Sequence, residues 1–333
     1  MFIIPNYTVA VVFCLITMLC WGSWANTQKL AAGQWRFELF YWDYVIGIFL
    51  FSLLSALTLG SIGEGGRPFL TDIAQADKSN MFSAILGGVI FNASNILLAA
   101  AISISGMAVA FPVGVGLALV IGVIINYINA PVGNASILLG GVVMIVVAIL
   151  LNAKAYRTNP DSSVSLSRKG LWLAIISGGL MGLFYKYVAQ SMFPDFQIPQ
   201  PGKLSPYSAV VFFSIGVLTS NFLFNTLLMW KPFIGEPLRY ANYFRGGSRN
   251  HAMGILGGTI WCIGLLFSII ASDKAGPAIS YGLGQGATVI AAIWGIYVWR
   301  EFRHAPQTTH RLLNIMLLCY VAGLSLLIIA RDA

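Results

Sequence analysis

The stretch Leu86-Gly87-Gly88-Val89-Ile90 returns 170 residues later as Leu256-Gly257-Gly258-Thr259-Ile260. The register then holds without a gap. Ala101 meets Ala271, Gly106 meets Gly276, Ala108 meets Ala278, Gly114 and Gly116 meet Gly284 and Gly286, and Tyr127 meets Tyr297. These are ten identities over 42 positions, spread over two apolar segments and the turn between them. Self-similarity of this kind points to a duplicated helical unit.

Working outward, the chain around the repeat is apolar throughout. Only 9% of its 333 residues are charged and 58% are hydrophobic, with a mean hydropathy of +0.80. A soluble protein carries about 25% charged residues. The shortage excludes a cytosolic enzyme, a disordered chain and a secreted disulfide scaffold. Ten segments are long and apolar enough to cross a bilayer. They run over Thr8–Gln28, Leu39–Leu59, Phe82–Ser103, Met107–Ile128, Ser136–Ala155, Gly170–Met192, Tyr207–Trp230, Met253–Ser272, Ala275–Val298 and Leu312–Ala330. The fold expected is therefore an all-α polytopic membrane protein.

The repeat lays the third and fourth spans over the eighth and ninth, so the unit is five helices. Residues 1–155 form the first unit, 156–169 a short linker and 170–333 the second. Five is odd, so the second unit must enter the bilayer upside down. Two inverted repeats around a central site are the architecture of alternating-access transporters.

Nineteen Lys and Arg against eleven Asp and Glu give a formal charge of +8. Thirteen of the basic residues fall in the odd-numbered connections and five in the even-numbered ones and tails. The positive-inside rule places the thirteen in the cytoplasm and both termini outside. This basic rim anchors spans at an anionic membrane face, and nucleic acid is not the expected partner. Met1–Tyr7 has no positive residue and does not read as a signal peptide. Cys14, Cys20, Cys262 and Cys319 sit inside spans, without metal-ligand spacing, and read as small packing side chains.

Polar side chains at membrane depth are costly without a partner or a wet cavity, which makes them candidates for a site. Asn92 and Asn95 share a face of the third span; Asn126, Asn221, Asn225 and Gln285 lie in others. Amides donate and accept, which suits a neutral polar solute; singly, each serves equally well as interhelical glue. Trp21, Trp24, Phe184, Tyr185, Tyr187, Trp261, Tyr281 and Trp294 are aromatics within spans, able to stack on a planar ring or a sugar face. Trp261 and Gln285 stand out because they lie in the repeated helices. Lys186 lies deep in the sixth span and either snorkels or lines the cavity. Asp43, in Tyr41-Trp42-Asp43-Tyr44, is an interfacial acid or a proton carrier. No carboxylate occupies the middle of a span, which leaves facilitated diffusion open. No metal, nucleophile or Walker motif is present. A membrane-embedded enzyme or receptor is the rival class.

Four stretches carry a family resemblance: Tyr41-Trp42-Asp43-Tyr44; Phe69-Leu70-Thr71-Asp72-Ile73-Ala74-Gln75; Gly87-Gly88-Val89-Ile90 with Asn95; and a long run from Gly257-Gly258 through Trp261, Gly264, Ala275-Gly276, Tyr281, Gln285, Thr288 and Trp294-Gly295 to Glu301. With them the chain resembles the drug/metabolite transporter superfamily, and within it the ureide permeases and the neighbouring glucose/ribose and rhamnose porters. The resemblance implies proton-linked import of a small neutral solute, either a sugar or a ureide or nucleobase; export by the same fold is the alternative. Plant ureide permeases carry a long central loop, whereas Tyr156–Lys169 is short, as in a compact bacterial relative of the inner membrane. The substrate-binding residues expected are Trp24, Asn92, Asn95, Lys186, Asn225, Trp261, Tyr281 and Gln285, with Asp43 and Lys186 for proton coupling. No cofactor is expected, and the protein is expected to act as a monomer or homodimer in the lipid bilayer.

Overall fold

The structure is a computed structural model that describes every residue except 32–34, 106, 159–166, 234, 301 and 333; the side chains of 102, 103, 107–109, 111 and 112 are likewise not described. Gly106, Ala108 and Glu301, used in the sequence comparison, therefore fall wholly or in part outside it, as does most of the 156–169 linker.

Among the described residues the chain is almost entirely helical. In order, the elements are α1 (Tyr7–Ser23), α2 (Ala25–Leu30), α3 (Phe37–Leu57), α4 (Phe69–Gln75), α5 (Lys78–Ser105), α6 (Met107–Asn129), α7 (Ala135–Arg157), α8 (Arg168–Ser191), α9 (Pro206–Trp230), α10 (Tyr240–Phe244), α11 (Ser248–Ala275), α12 (Pro277–Gly284), α13 (Ala287–Ile293), a π-turn over Trp294–Val298, and α14 (Gln307–Ile329). Nine helical stretches among the described residues are long and apolar enough to span a membrane, and Val113–Asn129 adds a shorter apolar helix within α6. The protein is thus an all-α polytopic membrane protein. Helices suit that setting because every backbone N–H and C=O is bonded within the segment.

Local chemistry marks the ends of the spans. The Asn6 side chain accepts from the Val9 N–H at the start of α1, and Asn134 accepts from Ser136 and Ile137 at the start of α7. Ser205 accepts from the Ser208 N–H ahead of Pro206, the first residue of α9. Such caps satisfy donors that have no intrahelical partner. Two expected continuous spans are interrupted. The first breaks at Trp24, between α1 and α2. The ninth breaks at Gln285-Gly286, where ψ falls to −12° and −7°. Gly282, Gly284 and Gly286 are poor helix formers, and the last two seat Trp21 and Met18 closely. The connections between the second and third and between the seventh and eighth expected spans contain α4 and α10 respectively.

Glycines set how closely the central helices approach. A methyl on Gly88 of α5 would collide with the Phe213 carbonyl of α9, and one on Gly216 of α9 with the Ile85 carbonyl. The same contact recurs between α11 and α3: Gly258 faces the Tyr44 carbonyl and Gly47 the Ile255 carbonyl. Small residues allow this backbone approach where apolar driving force between helices is weak. Ser52 and Ser214 then join α3 to α9 by a 2.7 Å hydrogen bond. Around this centre α8 packs on α5 and α6, α1 on α11, and α14 on α7.

The bundle has two distinct ends. One collects both termini and the even-numbered connections: Phe2 N–H donates to Leu59, Asn134 N–H to Ala330, and Arg331 Nε to Lys274. The other collects the odd-numbered connections, with Trp299 Nε1 donating to Asn26 and the Arg36 guanidinium to Glu236. Helix α5 starts at the first end and α11 at the second, so the two run in opposite directions.

Candidate substrate cavity

A cavity of about 600 Å³ lies between α1, α2, α5, α6, α8, α11 and the broken α12–α13 span. Its size fits one small solute. Its aromatic wall is built on Trp261 of α11. The Trp261 ring lies parallel to Trp21 at 5.9 Å and packs against Phe91 at 4.3 Å. Trp21 is held in turn by its indole N–H, which donates to the Trp261 carbonyl at 3.2 Å. Phe184 closes this wall from α8, and Trp24 and Trp294 stand nearer the mouth. The Trp294 indole donates to Ser23 at 2.9 Å, tying the π-turn to the first span.

Polar groups are few and placed. Asn95 reaches the cavity from α5, and its amide donates to the Tyr41 hydroxyl at 3.1 Å. Gln285 sits at the break between α12 and α13 and is only 8% exposed. Among the described residues its side-chain amide has no hydrogen-bond partner, although its backbone carbonyl accepts from the Thr288 hydroxyl. A buried amide facing an open space with both its donors and its acceptor free is suited to hold a ligand. No carboxylate lines the cavity among the described residues, and its cation, Lys29, lies at the mouth 4.8 Å over the Trp299 ring. The walls offer stacking plus amide hydrogen bonds.

The mouth opens at the basic end, past Asn26, Lys29, Trp35, Tyr156 and Trp299. The opposite end is sealed. Asp72 of α4 takes a 3.0 Å ion pair from Arg67 and a 2.7 Å hydrogen bond from the Ser205 N–H. Gln75 bonds both Gly202 and Lys203. Phe193, Phe196, Leu204 and Tyr207 are buried beneath this strap.

Of the eight expected substrate contacts, Trp24, Asn95, Trp261 and Gln285 line the cavity. The other four do not. Asn92 lies one layer behind, accepting from Tyr41 at 2.9 Å and donating to Ser220. Asn225 donates to the Glu38 carbonyl and joins α9 to α3. Tyr281 is fully buried with its hydroxyl donating to the carbonyls of Met181 and Ala118. Lys186 is half-buried near the sealed end, 5.9 Å over the Tyr187 ring. Asp43 is off the cavity too. Its carboxylate accepts from Tyr243 at 2.6 Å and lies 2.9 Å from His251 Nδ1. Burial, followed by the hydrogen bond and charge of Asp43, raises the Tyr243 pKa, so its hydroxyl stays a donor. Trp35, at the cavity mouth, packs edge-on against the His251 ring at 5.3 Å.

Sequence reasoning missed Tyr41, His251, Tyr243 and the strap residues Asp72 and Gln75. His251 and Tyr243 come from the one connection between the seventh and eighth expected spans, far from Asp43 in sequence, and no local pattern signals their meeting with it. Asp72 and Gln75 were visible in a motif, but their partners at 202–205 were not.

The ureide permease family model matches residues 40–169 and 165–330. The chain belongs to the ureide permease family. It is similar to Ureide permease 1 of Arabidopsis thaliana, 21% identical over 98% of both chains, and equally to Ureide permease 4 of that plant. Probable ureide permease A3 of Vigna unguiculata is 28% identical over 47% of this chain and 44% of its own. A solved structure superposes with a TM-score of 0.65 at 13% identity, covering 98% of this chain and 99% of its own. That likeness concerns the fold alone.

Proposed function

We propose that this protein is an alternating-access importer of a small neutral ureide or nucleobase. The observation that carries the proposal is the free Gln285 amide facing parallel tryptophans in a cavity that no carboxylate lines among the described residues. A planar ring bearing alternating C=O and N–H groups stacks on such a wall and exchanges two hydrogen bonds with one amide. Names of the relatives agree with this solute class. By the positive-inside rule the open mouth faces the cytoplasm, so the conformation is the one that releases an imported solute. The recurring glycine contacts and the opposed directions of α5 and α11 support two inverted units, residues 1–155 and 170–333, rocking about this site.

The coupling ion we assign is the proton, on Asp43 and His251. They sit beside the mouth and contact it through Trp35. Asn95, Trp24 and Trp261 complete the substrate contacts, and Asn92 orients Asn95 through Tyr41.

Purified protein in proteoliposomes, given labelled allantoin, uracil, glucose and ribose with and without a pH gradient, tests both parts. Uptake of allantoin or uracil, accelerated by external acid, is expected. Sugar uptake alone would move the substrate to the porters' class, and no uptake at all would end the importer proposal. Asp43→Asn should remove the dependence on the gradient while leaving exchange of preloaded substrate. Gradient-driven accumulation at the wild-type level in that variant would remove Asp43 from the coupling.

A further inference from the structure

A second pocket, of about 350 Å³, lies at the basic end on the outside of the bundle, between the π-turn and α14. Arg300, Arg303 and His310 line its upper part; Leu313 and Leu317 line its lower part. Arg300 takes a left-handed backbone conformation, φ 53°, the one non-glycine residue to do so among those described. The Arg303 N–H donates to the Arg300 carbonyl at 3.2 Å, and both arginines line the same pocket. Among the described residues none of the three basic side chains has an ion-pair partner, and Glu301 lies outside the description. Tyr297 of the lining and Leu318 and Val321, which follow Leu317 on α14, are exposed, as a surface in contact with acyl chains would be. Arginines without an ion-pair partner among the described residues, above an apolar groove at the basic end, are complementary in charge and polarity to an anionic phospholipid. A soluble anion would leave the apolar half of the groove unused.

We propose that this pocket binds the headgroup phosphate of an anionic phospholipid and that the bound lipid braces the cavity mouth. Two contacts connect the sites. The π-turn presents Trp294 and Gly295 to the cavity and Ile296 and Tyr297 to the pocket. Phe302 of the pocket packs at 4.9 Å on Tyr156, which lines the mouth. A lipid that holds Arg300 and Arg303 therefore steadies the segment carrying Trp294.

Native mass spectrometry of the detergent-purified full chain, titrated with phosphatidylglycerol, phosphatidylcholine or inorganic phosphate, tests the site without any transported solute. Its failure is thus separable from failure of the transport proposal. Retention of phosphatidylglycerol over phosphatidylcholine is expected. Retention should weaken roughly thirty-fold in the double variant Arg300→Gln/Arg303→Gln, as expected for the loss of two basic contacts. Arg245→Gln, elsewhere on the same rim, should bind as wild type, and Arg300→Lys/Arg303→Lys should keep most of the binding. Equal retention of both lipids, undiminished binding by the double Gln variant, or displacement of the lipid by millimolar phosphate would each overturn the proposal.

Discussion

Gln285 is the residue on which the proposed substrate recognition turns. Its amide is buried, faces the cavity and has no partner among the described residues. Gln285→Ala removes up to two hydrogen bonds to solute, each worth about 0.5–1.5 kcal/mol. Uptake kinetics should show KM raised about ten-fold or more with the protein folded, and wild-type kinetics would place the site elsewhere. Trp261 is a different case, because its ring also packs on Phe91 and Phe213. Truncation there would weaken the fold along with the site. Of the polar residues at depth, Asn95 and Gln285 reach the cavity while Asn92 and Asn225 bond other helices. All four are amides in apolar segments, and their sequence contexts do not distinguish them. Which amide finds a helix and which finds a void depends on rotation about axes set by packing.

At the scale of the element, the spans were legible because length and hydropathy determine them. Their interruptions were not. The ninth span carries Gly282, Gly284 and Gly286, but the sequence does not say which of them ends the helix; the break falls at Gln285-Gly286, where Gly284 and Gly286 pack closely on Trp21 and Met18. The central glycines support a stability prediction. Gly88→Ala or Gly258→Ala places a methyl against a neighbouring helix backbone, which costs about 1–3 kcal/mol through forced separation. Both should lower the thermal midpoint in detergent. Gly179→Ala, with nothing within 4 Å of the added methyl, should leave it unchanged or raise it, since alanine favours helix by about 1 kcal/mol. An equal fall in all three variants would count against close approach as the cause.

For the whole molecule, one end is strapped shut by Asp72, Gln75 and their partners at 202–205, and the other is open past Trp35 and Trp299. We propose the sidedness from the thirteen basic residues in the odd-numbered connections, which the positive-inside rule assigns to the cytoplasm. Cysteine labelling with a membrane-impermeant maleimide checks it. Asn26→Cys at the mouth should react above wild-type background only from the cytoplasmic side and be protected by substrate. Ile62→Cys, exposed at the sealed end, should react only from outside. The reverse pattern would turn the protein over in the membrane and make the open state an outward one.

The amino-acid sequence by itself determined that the chain lives in a bilayer, where its spans run and which end is basic. These follow from side-chain transfer energies and charge, which are properties of each segment alone. The tertiary structure alone decided which residues share the cavity, that Asp43 meets His251 and Tyr243, and that a glycine-rich span is broken beside Gln285. Those depend on helix rotation and on contacts between distant segments, such as Ser23 with Trp294, 271 residues apart, which no periodicity within a segment encodes.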